Sequence, residues 1–490
     1  MENREKFSSR IGFLLISAGC AIGLGNVWRF PFITGQYGGA AFVLIYLFFL
    51  IILGLPIMVM EYAVGRASQR SIATSFQELE PAGSKWHWYS YFGMAGNYLL
   101  MMFYTTVAGW MISYFFKMLK GDFVNKTPQQ VENIFGNMLA DPKVLIFWML
   151  VVIALGFLVC SLGLQNGVEK ITTAMMSCLF VVILILIVRS VTLEGASAGL
   201  KFYLIPDFAA VKKQGVMTVV SAAMGQAFFT LSLGIGAIAI FGSYIDKSHR
   251  LTGEAISVAI LDTLVALMAG LVIFPACFAF GVNPGSGPNL VFITLPNVFN
   301  EMPGSRIWGA MFFLFMSFAA LSTIIAVFQN ILSFAQDLWG WSLKESIVFN
   351  AVVITLLSLP CALGFNVWSF IQPLGVGTTI QDLEDFIVSN NILPLGSLVY
   401  LLFCVSRYGW GWDNFIREAN TGKGMKFPTF IRNYMLWVIP IVVAIIYLKG
   451  YYDMFQPKGN TYLIPWMIVG IAMLILVGWI VFGHSKKNKK

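Results

Sequence analysis

The chain has 490 residues, of which 58 % are hydrophobic and 11 % charged, with 46 glycines and a formal net charge of +8. Soluble globular proteins carry about a quarter charged residues, so this composition excludes a soluble fold and points to a polytopic membrane bundle. The basic surplus collects at the chain ends and in short loops, which suits an anionic lipid surface and argues against nucleic acid as a partner.

In chain order, apolar runs near the ~20 residues needed to cross a bilayer predict twelve helical spans. They lie at 11–36, 40–65, 88–117, 144–162, 168–190, 217–243, 254–282, 307–336, 346–366, 376–405, 430–450 and 463–483. The predicted fold class is therefore all-α integral membrane. Arg4, Lys6, Arg10, Arg66, Arg70, Lys170, Lys247 and the lysine-rich tail share one side, which predicts a cell-membrane protein with both termini cytoplasmic. The first span lacks a small-residue cleavage site and contains Arg29, so it is expected to be retained and not removed as a signal peptide. All six cysteines fall in apolar runs without metal-ligand spacing and are expected to be buried free thiols.

Two of the spans are interrupted. "GCAIGLGNVWRFP", residues 19–31, places Gly19, Gly23, Gly25, Asn26, Arg29 and Pro31 inside the first, and "GQAFFTLSLGIGAIAIFGSYI", residues 225–245, interrupts the sixth. An unwound segment in lipid must have its freed N–H and C=O groups satisfied inside a cavity. Glycines alone would equally serve close helix packing, but the polar residues clustered at both breaks shift the balance towards a site. Breaks in corresponding positions of two five-helix halves are the sequence pointer to an inverted-repeat transporter. On that reading residues 1–490 form a single transporter domain, with a first repeat at 11–190, an inverted repeat at 217–405, helices 1 and 6 unwound at mid-membrane, and two additional helices at 430–483. Freed carbonyls and hydroxyls suit a hard cation, and half-helix N-termini suit a carboxylate. A zwitterionic amino acid travelling with Na⁺ uses both.

"GLGNVWRFP" followed by "GGAAF", then "GQAFFTLSLGIGA" with its "SYI" tail, and finally "FAALSTIIAVFQ" resemble the neurotransmitter:sodium symporter family, and within it prokaryotic amino-acid transporters similar to the bacterial leucine transporter. The resemblance covers about residues 4–420. It implies a sodium-coupled symporter that imports an L-amino acid by alternating access, with two sodium ions, membrane lipid and a small-molecule substrate as its partners, no obligatory protein partner, and no enzymatic activity. One sodium would meet the substrate carboxylate, Ala21, Asn26, Thr230 and Asp262; the second would be held by carbonyls of Gly19, Ile22 and Ala319 with the hydroxyls of Ser322 and Thr323. The substrate carboxylate would meet the N–H groups of Leu24 and Gly25 and the Tyr104 hydroxyl. The ammonium would meet carbonyls of Ala21, Phe229 and Thr230, plus Ser232.

The resemblance also narrows the substrate. Monoamine carriers of the family place an aspartate where this chain has Gly23, so here the ligand itself must supply the anion. The side-chain pocket would be lined by Leu100, Phe229, Ile235, Thr323 and Val327, with no charge or amide, which implies a hydrophobic or aromatic amino acid. Asp262 is a departure: chloride-dependent relatives have an uncharged residue there, and the bacterial leucine transporter supplies a carboxylate one turn later, where this chain has Ala266. With Tyr46, Gln226 and Thr230 matching the rest of the chloride neighbourhood, Asp262 is expected to supply a fixed negative charge and make transport chloride-independent. Glu61, a second intramembrane acid, is expected to hydrogen-bond near the first break.

Gates follow from the same resemblance. Arg29 would pair outside with an acid of "IQDLEDFIV"; the local motif favours Asp385 and a gapless count favours Asp382, and Asp385 is chosen. Inside, Arg4 with Phe7, Ser243 with Tyr244, and Gln329 with Asp337 match the cytoplasmic gate, and Asp337, fourteen residues after Thr323, is the expected partner of Arg4. A channel would show filter loops repeated across subunits, and an intramembrane enzyme an acid–base or metal cluster; the three histidines (His87, His249, His484) all sit near span ends.

Overall fold

The computed structural model describes residues 6–282, 284 and 289–483, and among them there are helices and loops but no strand, only an isolated bridge between His249 and Lys423. The chain opens with a bent pair, α1 (Arg10–Ala21) and α2 (Gly25–Gln36), which meet at 55°. Continuous helices α3 (Ala40–Ser68), α4 (Trp88–Lys120), α5 (Pro142–Ser161) and α6 (Leu164–Val191) follow. Then come α7 (Val216–Thr230) and α8 (Ala237–Gly242), separated by a turn. The remaining long helices are α9 (Leu251–Ala279), α10 (Ser305–Trp339), α11 (Leu343–Leu363), α12 (Ile380–Val405), α13 (Thr429–Lys458) and α14 (Asn460–Phe482). Ten of these helices are long and apolar enough to cross a membrane, and the bent pair makes an eleventh span. The remaining predicted position, 217–243, is filled by α7 and α8, each too short alone.

Burial sorts the helices into a core and a rim. Helices α4, α10 and α12 are mostly buried, whereas α13 and α14 leave most of their apolar surface exposed, as lipid-facing helices do. The breaks lie against the core helices. At the first, Ile22 leaves the helix with ψ 94°. At the second, Ser232, Gly234 and Gly236 take φ of 52°, 95° and 74°, left-handed values that interrupt the helix between α7 and α8. Gly234 has a second reason to lack a side chain, because a Cβ there would lie 2.4 Å from the Leu393 carbonyl of α12.

Two sequence expectations change. Five cysteines are buried and free, but Cys178 is exposed on the lipid-facing side of α6, where the apolar surroundings that hid it in the sequence are lipid-side residues. Arg66, counted among the basic residues of the rim, is fully buried. Its Nε donates to Glu418 Oε1 at 2.6 Å, Nη1 donates to the His249 carbonyl at 2.8 Å, and Nη2 donates to the Glu418 carbonyl. A carboxylate plus carbonyls satisfies a buried guanidinium that lipid headgroups were expected to meet.

Helix α8 is held against α3 by glycine. A Cβ on Gly65 would stand 1.8 Å from the Ala239 carbonyl, and one on Gly242 2.5 Å from the Tyr62 carbonyl. These are backbone atoms and cannot rotate aside. Gly65→Ala is therefore expected to cost about 1–3 kcal/mol by overpacking, read as a lowered midpoint in a detergent thermal melt. Gly253→Ala, with nothing within 4 Å of its new Cβ, should leave the midpoint unchanged; equal effects would remove the packing explanation.

Candidate functional site

The C-terminal end of α1 leaves carbonyls without intrahelical partners, and a helix C-terminus is partially negative. Ile22 N–H takes the Ala18 carbonyl at 2.6 Å, so the next carbonyls are free. They face two hydroxyls of α10. Thr323 Oγ1 lies 3.3 Å from the carbonyl oxygens of Gly19, Cys20 and Ile22 and 3.4 Å from that of Ala319. Ser322 Oγ lies 3.0 Å from Ala319 O and 3.4 Å from Ile22 O. Each hydroxyl has one proton to donate, so two protons face four carbonyls. The surplus of oxygen lone pairs in one buried spot can hold a hard cation. All the expected residues of this second cation set are brought together, and the Cys20 carbonyl, absent from the sequence reading, joins them. Among the described residues no group of three or more His, Cys, Asp or Glu could hold a metal.

The first cation set centres on Asp262 of α9, which is 0 % exposed. Asn26 Nδ2 donates to Asp262 Oδ1 at 2.8 Å and to its carbonyl at 3.0 Å, and Thr230 Oγ1 donates to Oδ2 at 2.9 Å. Among the described residues no cationic side chain lies within 4.0 Å of this carboxyl group. Asn26 Oδ1 accepts from Gly23 N–H at 3.3 Å, and Gln226 Nε2 donates to the Gly25 carbonyl at 3.0 Å. Ala21 is buried at the end of α1. Tyr46 is buried too, its ring 5.2 Å from that of Phe30.

The donors assigned to a substrate carboxylate are bonded to each other: Leu24 N–H donates to Tyr104 Oη at 2.7 Å. Gly23 faces the same point, since a Cβ there would lie 2.2 Å from Tyr104 Oη and 2.5 Å from Thr323 Oγ1. Gly25 is packed against Phe229, whose ring would be 2.8 Å from its Cβ. Ser232 Oγ donates to the Cys20 carbonyl at 3.4 Å, which ties the second break to the first. A cavity of about 510 Å³ is lined by Leu24, Tyr104 and Phe229, with Arg29, Asp382 and Asp385 farther along its wall. Leu100, Ile235, Thr323 and Val327 are buried and do not line it.

The two ends differ. Arg29 places its guanidinium 4.3 Å from the Phe229 ring centroid, its Nη1 has no hydrogen-bond partner, and no carboxylate lies within 4.0 Å of it among the described residues. Asp385 accepts from Ser389 Oγ at 2.5 Å, while Asp382 is used in capping α12, accepting from Thr379 N–H at 2.6 Å. The expected Arg29–Asp385 pair is thus unmade across the cavity. At the other end Gln329 Nε2 donates to Tyr244 Oη at 3.1 Å, Tyr244 Oη is 3.1 Å from Ser333 Oγ, and the Phe7 ring meets Tyr244 edge-on at 5.6 Å. Asp337 accepts from Ser71 N–H at 2.7 Å and faces Arg70 at 3.5 Å. Arg4, its expected partner, lies outside the described residues. Ser243 donates to the Ile240 carbonyl of its own turn, so its hydroxyl does not bridge to another helix.

Comparison with known proteins gives the family. The model of the Sodium:neurotransmitter symporter family matches residues 4–134 and 129–484. The chain belongs to this family. The uncharacterized sodium-dependent transporter YhdH of Bacillus subtilis (strain 168) is 33 % identical over 449 residues, covering 91 % of this chain and 97 % of YhdH. An uncharacterized sodium-dependent transporter of Haemophilus influenzae is 30 % identical over 466 residues, covering 92 % and 98 % respectively. The crystal structure of MhsT in complex with L-phenylalanine superposes with a TM-score of 0.82 at 36 % identity, covering 91 % of this chain and 99 % of MhsT. This symporter is accordingly a membrane transporter and not an enzyme, and membership implies that it uses sodium.

Four features of this symporter escaped the sequence. Glu61 serves the second break and not the first: it accepts from Gly234 N–H at 3.0 Å and Ile238 N–H at 3.3 Å. Helix α3 packs along α8, which its position in the chain does not reveal. The Cys20 carbonyl is invisible to residue-type reasoning. Asn97 and Asn330, joined at 2.9 Å, lie beside Ile235 and contradict the expectation of a neighbourhood without amides. The oxygen cluster of α1 and α10 is tested by Ser322→Ala. The sodium concentration giving half-maximal thermal stabilisation is expected to rise about tenfold, since a bound ion stabilises only the folded state. A rise under about twofold would take Ser322 out of the cation's shell.

Proposed function

We propose that this symporter imports a hydrophobic or aromatic L-amino acid together with two sodium ions, and does so without chloride. One observation carries the reading: Asp262 is fully buried between two neutral donors, Asn26 and Thr230, with no cationic partner among the described residues. A buried carboxylate without a counter-charge is costly unless a cation arrives. A sodium ion between Asp262, Asn26, Thr230 and the Ala21 carbonyl supplies that charge, and the carboxylate does the work that a chloride ion does in relatives lacking it. The second ion takes the carbonyls of Gly19, Ile22 and Ala319 with Ser322 and Thr323.

Gly23 supports an amino acid as cargo. The approach of Tyr104 Oη and Thr323 Oγ1 to this position leaves no space for an acidic side chain, so the anion comes from the substrate. The substrate carboxylate replaces the Leu24–Tyr104 hydrogen bond, and its ammonium takes the carbonyls of Ala21, Phe229 and Thr230 with Ser232. Leu100, Phe229, Ile235, Thr323 and Val327 receive the side chain once it parts them. The L-phenylalanine bound by MhsT supports the same class of cargo.

With the termini on the cytoplasmic side of the cell membrane, the cavity bearing Arg29 and Asp385 opens outward, and the Tyr244–Gln329–Ser333 cluster, with Asp337, closes the inside. The two repeats, 11–190 and 217–405, rock against each other about the paired breaks, making the Arg29–Asp385 contact as the inner contacts part. A half-exposed ion pair is worth about 0–1 kcal/mol, weak enough to open in every cycle.

Proteoliposomes test this directly. Radiolabelled hydrophobic amino acids should accumulate against their gradient only with Na⁺ outside, and equally well when chloride is replaced by gluconate. Asp262→Asn should lower chloride-free uptake by at least about tenfold, with partial recovery on adding chloride. Full uptake by Asp262→Asn without chloride would refute the assigned charge, and equilibration without accumulation would refute coupling.

A further inference from the structure

Helices α4 and α10 meet at two levels. At the first, Tyr104 and Thr323 both face Gly23. Seven residues away on each helix, Asn330 Nδ2 donates to Asn97 Oδ1 at 2.9 Å. Residue numbers fall along α4 and rise along α10 between the two levels, so the helices are antiparallel and the levels are two turns, or about 10 Å, apart. Leu100 and Val327, expected to line the substrate's side chain, lie between them.

The lower level is a hydrogen-bond chain with a direction. Asn97 Nδ2 donates to the carbonyls of Gly93 and Ile235, both at 2.8 Å. That fixes Asn97 Oδ1 as the acceptor facing Asn330, and so fixes Nδ2 as the Asn330 atom facing Asn97; turning either amide over would set like atoms against each other. The chain then ends on Asn330 Oδ1, which is buried and has no hydrogen-bond partner. Asn330 itself is 0 % exposed. Leaving such an acceptor unpaired costs about the desolvation of one polar group. Side chains on a helix lean towards its N-terminus, which on α10 is the direction of Val327 and Thr323.

Resting on the amino-acid reading above, we infer that Asn330 Oδ1 accepts a hydrogen bond from the distal hydroxyl of an aromatic substrate, and that this symporter selects tyrosine over phenylalanine. The separation of the levels exceeds the reach of an aliphatic side chain and suits a six-membered ring carrying one further heavy atom. Leu100 and Val327 flank the ring, and the amide pair with the Ile235 carbonyl forms the end wall. Phenylalanine fits the same space but leaves the acceptor unpaired. Sites built to hydrogen-bond a substrate hydroxyl discriminate strongly against the analogue that lacks it.

The test uses the purified full chain in detergent with Na⁺, titrated with tyrosine and with phenylalanine and read by thermal stabilisation. Tyrosine is expected to half-saturate at a concentration at least about tenfold lower. In Asn330→Leu that ratio should fall to about one, with tyrosine weakened and phenylalanine not improved, because the variant removes the Asn330 acceptor but strips Asn97 Oδ1 of its donor. A wild-type ratio near one overturns the inference without any variant, and so does an Asn330→Leu protein that keeps the wild-type ratio. Stabilisation by an aliphatic amino acid but by neither aromatic overturns the inference and leaves the proposed function standing. No stabilisation by any of the twenty amino acids overturns both.

Discussion

A backbone N–H or C=O facing hydrocarbon has nothing to bond, so a helix can come apart inside a membrane only where other side chains complete it. Both breaks in this symporter are completed from continuous neighbours. Tyr104 of α4 takes the Leu24 N–H, and Thr323 and Ser322 of α10 lie against the carbonyls that end α1. Glu61 of α3 takes N–H groups at the start of α8. The unwound segments are thus set by rigid helices.

Two buried carboxyl groups show how environment assigns role. Glu61 receives backbone N–H groups at the positive end of α8, where a negative charge is favoured, and needs nothing further. Asp262 receives only an amide and a hydroxyl, which leaves its charge without an opposing one. The first is a structural brace for the second break. The second is the carboxylate to which we assign a sodium ion.

The two ends of the proposed transport path are held by weak contacts. Arg29 rests on the face of Phe229, a cation–π contact that holds the guanidinium without linking the two walls of the cavity. At the opposite end single hydrogen bonds join Tyr244, Gln329 and Ser333, and Arg70 faces the largely buried carboxylate of Asp337 at 3.5 Å. The buried Arg66–Glu418 contact is of another kind. With both charges desolvated and the guanidinium bonded to carbonyls, breaking it would strand a charge, so it joins elements that stay together.

Composition and hydropathy alone determined the all-helical membrane architecture, because a hydrocarbon solvent admits few alternatives. The breaks were equally legible, since Gly19, Gly23, Gly25 and the 232–236 turn are local departures from helix-forming sequence, and the motif residues Asn26, Thr230, Asp262, Ser322 and Thr323 could be placed by register with them. Whatever depended on which helix lies beside which was not. The Cys20 carbonyl carries no side-chain signature, Glu61 reaches a break 173 positions away in the chain, and Asn97 finds Asn330 across 233. Arg66 looked like any cation near a span end until Glu418 and two loop carbonyls closed around it. Such pairings are made by packing between antiparallel helices, and only the folded chain brings them within hydrogen-bonding distance.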